Sequence, residues 1–536
     1  MTMSMQRAEV AGDLSGRDER LRVRVALDSE RVVGDIDRRL FGGFVEHMGR
    51  GVYGGIYAPG HPSADERGFR RDVIELVREL GVTTVRYPGG NFVSGFHWED
   101  SVGPRELRPT RLNLAWHSSE TNEVGVHEFA EWLAEVDAEL MLAVNLGTRG
   151  TREAIEFLEY VNISAPTRLS QWRSENGRTE PFGVKMWCLG NEMDGPWQLG
   201  QRTPEDYGIL AAQTAKAMRQ VDPDLELVAC GSSHAAMPTF GEWEKVVLTH
   251  TYDDVDYLSC HAYYEPEPGD RASFLGSAVN MDRFIDAVVA TADHVKAVRG
   301  STKTIAVSFD EWNVWYSSRL PEQLPRAADD WPLAPPLSEE DYTVTDGVVV
   351  GDLLMSLLRH ADRVRSASLA QIVNVIAPIA APDDGPAWRK ATFHPFALTA
   401  RHARGRSLDV VIDTPGHHTR VHGDTPYVSV AATHDPGRGG AVFLVNRHES
   451  AAAEVTVELS GALAVLGVAE AVTLHDPDLD AHNSAAFPDR VGPRPNRSLR
   501  QQPGALTVSL PPVSWTMVRL VDVEADAEAE VEANEG

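Results

Sequence analysis

Eight short apolar runs, each closing on polar residues, recur between residues 39 and 374 with longer segments of helical period between them. Few folds accommodate that alternation. The runs are RLFGGFVEH (39–47), TTVRYPGGN (83–91), LMLAVNLG (140–147), KMWCLGNE (185–192), LELVACGSS (225–233), DYLSCHAYY (256–264), TIAVSFDEW (304–312) and SASLAQIVN (366–374). Among the intervening segments, 66–80 and 203–220 read as helices, the second opening on Thr203 as N-cap with Pro204 in the first turn. A third, 281–298, sets Phe284, Val288, Val295 and Val298 on one face. Eight βα units predict an α/β chain closed into a (β/α)8 barrel; an open doubly wound sheet would want a Gly-rich phosphate turn after its first strand, and none is there.

After residue 396 the period changes. YVSVAATH, AVFLVNRH, AEVTVELS, ALTVSLPP and SWTMVRL are separated by Gly, Pro, Asp and Asn, which predicts a C-terminal β-sandwich domain. LRVRVAL (21–27) alternates in the same way and is assigned to that sandwich. The expected layout is a disordered N-terminus (1–20), a strand joining the sandwich (21–38), a catalytic barrel (39–395), the sandwich (396–521) and an acidic disordered tail (522–536).

A net charge of −29 argues against nucleic acid and anionic membrane surfaces as partners. The first twenty residues lack an apolar signal-like stretch and no later run reaches the length of a membrane span, so a cytoplasmic location is expected. The three cysteines, Cys188, Cys230 and Cys260, lie in apolar runs without CxxC spacing and read as buried thiols.

In such a barrel the strand C-termini face the active site. The polar residues gathered there are Glu46, Arg86, Asn91, Asn145, Asn191, Glu192, Ser232, His261, Tyr263, Glu311 and Gln371. Carboxylates and amides dominate, and no nucleophilic Ser or Cys is paired with a base. Glu192 closes the fourth run and Glu311 the seventh, on nearly opposite sides of the mouth. A single such Glu is usually a solvated surface group. Two at those ordinals fit glycoside hydrolysis, in which one carboxyl protonates the leaving oxygen and the other attacks the anomeric carbon or activates water. His261 and His47 have no HExxH or tetrahedral Cys/His context, so they are read as hydrogen-bonding groups, and no metal or other cofactor is expected. Tyr-Pro-Gly-Gly-Asn (87–91) lacks a following Lys-Ser/Thr and reads as a tight turn. Trp98, Trp116, Trp197, Trp312, Trp315 and Trp331 fall in or beside the βα loops, about half of them for packing and the rest for stacking on sugar faces. Loops 92–125 and 316–344 are long enough to wall the site.

FGGFVEHMGRGVYGGIY (41–57), VRYPGGNFVSGFHWEDSVGP (85–104), LAWHSSETNEVG (114–125), CLGNEMDGPWQLG (188–200) and SFDEWNVWY (308–316) closely resemble the α-L-arabinofuranosidases of glycoside hydrolase family 51, over residues 21 to 520. That resemblance implies a (β/α)8 TIM barrel with a jelly-roll-like β-sandwich, and retaining, exo-acting release of terminal α-L-arabinofuranosyl residues from arabinan- or arabinoxylan-derived oligosaccharides. By motif, Glu192 resembles the acid/base and Glu311 the nucleophile. Glu46, Arg86, Asn91, Asn191, Tyr263 and Gln371 match positions that bind arabinose or orient the pair, and Trp116 and Trp315 match aromatics near the sugar. It also implies a homo-oligomer, such as a hexamer. Phe96 stands where Tyr is common and Cys260 where Leu is expected; neither removes a catalytic group. The alternatives are a β-xylosidase or β-1,4-glucanase on the same barrel, or a non-catalytic sugar-binding protein.

Overall fold

The computed structural model describes residues 20–325 and 329–522. The expectations for the two chain ends fall, but for Arg20 and Asp522, outside the described residues. Eight parallel strands close into a barrel: β1 (Gly42–Phe44), β2 (Thr84–Tyr87), β3 (Glu139–Val144), β4 (Met186–Leu189), β5 (Glu226–Ala229), β6 (Tyr257–Tyr264), β7 (Ala306–Val314) and β8 (Val364–Ala370). Each overlaps one of the eight apolar runs, though Glu139, residues 313–314 and residues 364–365 fall just outside theirs. These strands are largely buried on both faces, which is why their sequences are mostly apolar and do not alternate with period two.

The helical segments pack outside. Thr203 caps the Pro204–Val221 helix by accepting from the Asp206 amide. The Ser277–Arg299 helix buries Phe284, Val288 and Val295. Val298, expected on that face, is 74% exposed: it lies in the last turn of the helix, where residues 297–300 are all exposed. The three cysteines are buried and free. Among the described residues no helix is long and apolar enough to cross a membrane.

Two further sheets, of five and seven strands, form the sandwich. The Leu21–Asp28 strand pairs in parallel with Ala453–Ser460, from Leu21 opposite Ala453 to Asp28 opposite Ser460, and antiparallel with Val411–Asp413. Its Val23, Val25 and Leu27 join Val430, Leu444, Val457, Val508 and Leu520 in the core between the sheets. The other face of the seven-stranded sheet, including Phe443, Trp515 and Met517, belongs to the barrel's own core. Thus Gly439–Asn446 is buried on both sides. The boundary expected at residue 395 falls inside the Phe393–His402 helix, which packs against the Arg71–Leu80 helix of the barrel. Barrel packing therefore extends past that position, because the sandwich is fused to the barrel without an intervening linker.

Candidate active site

Short polar segments at the C-terminal ends of the strands converge on one cluster. After β2 the chain turns through Gly89 and Gly90. Gly89 has φ 141°, and a Cβ there would lie 2.4 Å from Glu46 Cγ; a Cβ on Gly90 would meet Glu311 Oε1 at 3.0 Å and Glu46 Oε2 at 3.3 Å. Only glycine lets this backbone pass so close to two carboxyl groups. After β4, Gly190 and Glu192 take positive φ of 91° and 42°, a backbone cost the fold carries at Glu192 itself.

Glu311 lies on β7, where pairing to β8 is irregular between Phe309 and Trp312. Its Oε1 accepts from Arg86 Nη1 at 2.7 Å and its Oε2 from the Tyr263 hydroxyl at 2.8 Å. Burial and the Glu311 charge keep Tyr263 protonated far above ordinary pH, so it remains a donor. Glu192 accepts from Trp197 Nε1 at 2.6 Å on Oε2, and its Oε1 is 2.9 Å from His261 Nδ1. One oxygen each from Glu192 and Glu311 lies within 4.8 Å of the other and of a His261 ring nitrogen.

The two carboxyls have different surroundings. Burial pushes Glu192 above the usual carboxyl range; its hydrogen bonds to His261 and Trp197 oppose the shift, the charge of Glu311 adds to it, and the net direction is upward. Glu311 instead faces a guanidinium and a phenol. Burial would strip the proton from His261, but Glu311, Asp310 and Glu192 outweigh it and lift the ring to about 10. A third carboxyl, Glu46, is lifted to about 8 by burial and then by Glu311, although Phe92 N and Trp116 Nε1 both donate to its Oε1.

Arg86 also donates to Asn191 Oδ1 at 2.7 Å, and Asn191 Nδ2 reaches Asn91 Oδ1 at 3.4 Å. Gln371 Oε1 accepts from the Glu46 amide, fixing the backbone of that acid. Trp315 meets the Tyr263 ring edge-on at 5.0 Å and donates to Ser338. Glu46, Arg86, Asn91, Trp116, Asn191, Glu192, Tyr263, Glu311, Trp315 and Gln371 are therefore brought into one cluster, in which Glu46 meets Glu311 through charge across the Gly90 backbone rather than through a hydrogen bond. Asn145 and Ser232, also at strand ends, take structural bonds: Asn145 to Phe96 O and Thr148, and the Ser232 amide to Glu244. Trp98 packs on Phe157 and Trp172, and Trp312 is fully buried, whereas Trp197 is 48% exposed beside Glu192. His47 bonds to Glu120 and Tyr87.

Sequence reasoning passed over Asp310, buried under the pair and 3.1 Å from His261 Nε2. Its only signal was adjacency to Glu311, which regular strand alternation would have turned outward. Glu192, His261 and Glu311 could converge on a cation by distance alone. Yet both ring nitrogens face carboxylates, and Arg86 already neutralises Glu311, so the donor set suits protons better than a metal. A cavity of about 800 Å³ lined by Arg401, Arg404, Arg438 and Arg519 lies in the sandwich region, away from these carboxyls. The chemistry, rather than cavity size, marks the site.

Two family profiles match: the α-L-arabinofuranosidase 1 domain over residues 76–285 and the α-L-arabinofuranosidase C-terminal domain over 310–514. An intracellular exo-α-(1→5)-L-arabinofuranosidase of Streptomyces lividans is 54% identical across 93% of this chain and 75% of its own. An exo-α-(1→6)-L-arabinofuranosidase of Bifidobacterium longum is 52% identical, covering 93% of this chain and 97% of its own. The solved structure of a family 51 α-L-arabinofuranosidase from Bifidobacterium longum superposes with a TM-score of 0.89 at 48% identity, over 93% of this chain and 99% of that one. The conjunction of barrel, sandwich, facing carboxyls and this identity across nearly the whole chain makes it a member of the family 51 α-L-arabinofuranosidases.

Proposed function

We propose that Glu192 and Glu311 carry out the double displacement by which this exo-α-L-arabinofuranosidase releases terminal α-L-arabinofuranosyl residues with retention. The carrying observation is their separation. Oxygens within 4.8 Å suit the roughly 5 Å spacing of retaining pairs and leave no room for the water an inverting enzyme inserts.

Glu311, held by Arg86 and Tyr263, attacks the anomeric carbon while Glu192 delivers its proton to the departing oxygen. The arabinosyl ester on Glu311 is then hydrolysed: Glu192, now a carboxylate, takes a proton from water as that water attacks the same carbon and the ester bond breaks. The loss of the Glu311 charge on ester formation removes one cause of the raised Glu192 affinity for protons, which suits the change from acid to base. Asn91, Asn191 and Glu46 offer polar groups to the sugar hydroxyls. Arg86 and Gln371, each 1% exposed and fully engaged, orient the acids. Trp116, which donates to Glu46, and Trp315, edge-on to Tyr263, are the aromatics assigned beside the sugar.

The names of the relatives support terminal α-(1→5)- or α-(1→6)-linked L-arabinofuranosyl residues as the groups released, and those that read intracellular support a cytoplasmic location. Arabinoxylan fragments belong to the same substrate class. Family resemblance supports assembly as a homo-oligomer.

Time-resolved proton NMR of an aryl α-L-arabinofuranoside should show α-arabinose before mutarotation. Glu311→Ala should lose at least about a thousandfold in kcat while staying folded. Glu192→Ala should regain turnover on an activated aryl substrate when azide is added, since azide needs no base. First appearance of the β-anomer, or an active Glu311→Ala, would reject the assignment.

A further inference from the structure

Asp310 has no access to the sugar. It is fully buried next to Glu311, with Oδ1 3.1 Å from His261 Nε2 and Oδ2 3.4 Å from Arg86 Nε and 3.5 Å from Cys188 Sγ. Neighbouring side chains on a regular strand point to opposite faces. The irregular pairing of β7 between Phe309 and Trp312, and of β6 between Ser259 and His261, lets Asp310 and Glu311 both reach the His261 ring, Glu311 Oε2 lying 3.7 Å from Nδ1. With His261 Nδ1 on Glu192, an unbroken line runs from Asp310 on β7 through His261 on β6 to Glu192 beyond β4.

We infer that Asp310 is a positioning residue for the second half of the reaction, holding the His261 ring doubly protonated and aimed at Glu192 so that the Glu192 carboxylate is stabilised as it takes a proton from water. This rests on the assignment of Glu192 as acid/base.

An imidazole between two carboxylates satisfies both only as an imidazolium, which donates from each nitrogen. Asp310 is suited to the fixed end. Burial opposes its charge, but Arg86 and His261 override that and hold it below the ordinary range, so it stays ionised through the cycle. The charged groups around the ring are Glu192, Glu311, Asp310 and, more distantly, Asp194, with Arg86 on the far side of Asp310. Once Glu311 is esterified it no longer contributes charge. Asp310 is then the permanent anion in contact with the ring, which is why its influence falls on the second step. His261 neither gains nor loses a proton overall; the proton from water goes to Glu192 and the ester oxygen returns to Glu311 as carboxylate.

Asp310→Asn keeps the shape and an acceptor for Nε2–H but removes the charge. With an aryl arabinofuranoside bearing a good leaving group, the first step needs little acid help and the second limits kcat. The expected result is an acidic limb of kcat moved upward by about one unit or more, so that kcat on that limb, as at pH 6, falls up to about tenfold, with a smaller change in kcat/KM, which reports the first step. In ¹⁵N NMR of the full-length protein, the His261 ring, assigned by its disappearance in His261→Gln, should be protonated on both nitrogens at pH 8 in the wild type and neutral in Asp310→Asn. An unchanged kcat limb together with an unchanged ring state in the variant overturns the inference. So does a neutral His261 at pH 8 in the wild type, a readout that stands even if the variant does not fold. Failure of azide to restore Glu192→Ala would instead remove the acid/base assignment, and the ring measurements distinguish that case.

Discussion

Glu46 shows how much of a residue's behaviour is set by what surrounds it. FVEH marks a carboxyl at the end of the first apolar run, but nothing in those letters says that it sits 3% exposed beside a second acid. Burial and Glu311 raise it to about 8, so it is neutral over most of the physiological range. A folded-state value above the unfolded one, about 4.3, means that its contribution is full below pH 4 and is lost as pH climbs toward 8. Glu46→Gln keeps the acceptor that Phe92 and Trp116 use and cannot ionise. Its Tm relative to wild type should therefore rise between pH 5 and pH 9, a gap that thermal melts at several pH values would read. A difference independent of pH would mean that Glu46 is already ionised at the low end. The same limit explains which site residues were legible: Glu192 and Glu311 stood at strand ends, where position alone gives direction, whereas Asp310 faces the cluster only because β7 is irregular, and irregular pairing has no sequence period.

At the scale of elements, all eight barrel strands could be read because each is a compact apolar run, and the strongly apolar sandwich strands could be read for the same reason. The short ones, Val32–Asp35, Arg406–Leu408, Val411–Asp413 and Arg500–Gln502, were not, since their pairing comes from neighbours rather than from their own alternation, and Gly467–Leu474, though eight residues long, has Gly, Ala and Glu in place of an alternating apolar face. The Val344–Arg359 helix escaped for the opposite reason. Residues 344–358 are all buried, so it has no polar face and no helical stripe. It lies between the barrel and the sandwich, and Gly351 permits the approach: a Cβ there would be 2.3 Å from Trp515 Cδ1. Gly351→Ala sets a helix-propensity gain of about 1 kcal/mol against an overpacking cost of about 1–3 kcal/mol, and at so short a contact with a buried indole the cost prevails. The variant should melt lower, by about a degree or two, while KM on an aryl arabinofuranoside is unchanged, because Gly351 and Trp515 meet between helix and sandwich and not at the strand ends that carry the site. A higher Tm would show that Trp515 can move away freely.

In the whole molecule, the Leu21–Asp28 strand ties the two ends of the described chain together. Leu21–Asp28 lies between Val411–Asp413 and Ala453–Ser460 in the five-stranded sheet, so residues more than 400 apart in the chain share one ladder. The seven-stranded sheet in turn gives one face to the sandwich core and the other to the barrel. A truncation that begins at residue 29 deletes Val23, Val25 and Leu27, each no more than 2% exposed. At about 1.5–3 kcal/mol per buried aliphatic side chain, that loss is about 5–9 kcal/mol before the broken ladder on both sides is counted. Typical domain stability is about 5–15 kcal/mol, so the sandwich should not survive the deletion. Because Phe443, Trp515 and Met517 are part of the barrel core, the barrel should fail with it rather than persist as an active fragment. The expected outcome is insoluble or molten protein without arabinofuranosidase activity, read by near-ultraviolet circular dichroism and an aryl arabinofuranoside assay. Full activity in the truncated chain would mean that the barrel folds independently of the sandwich, and that the shared core is a contact between separable domains.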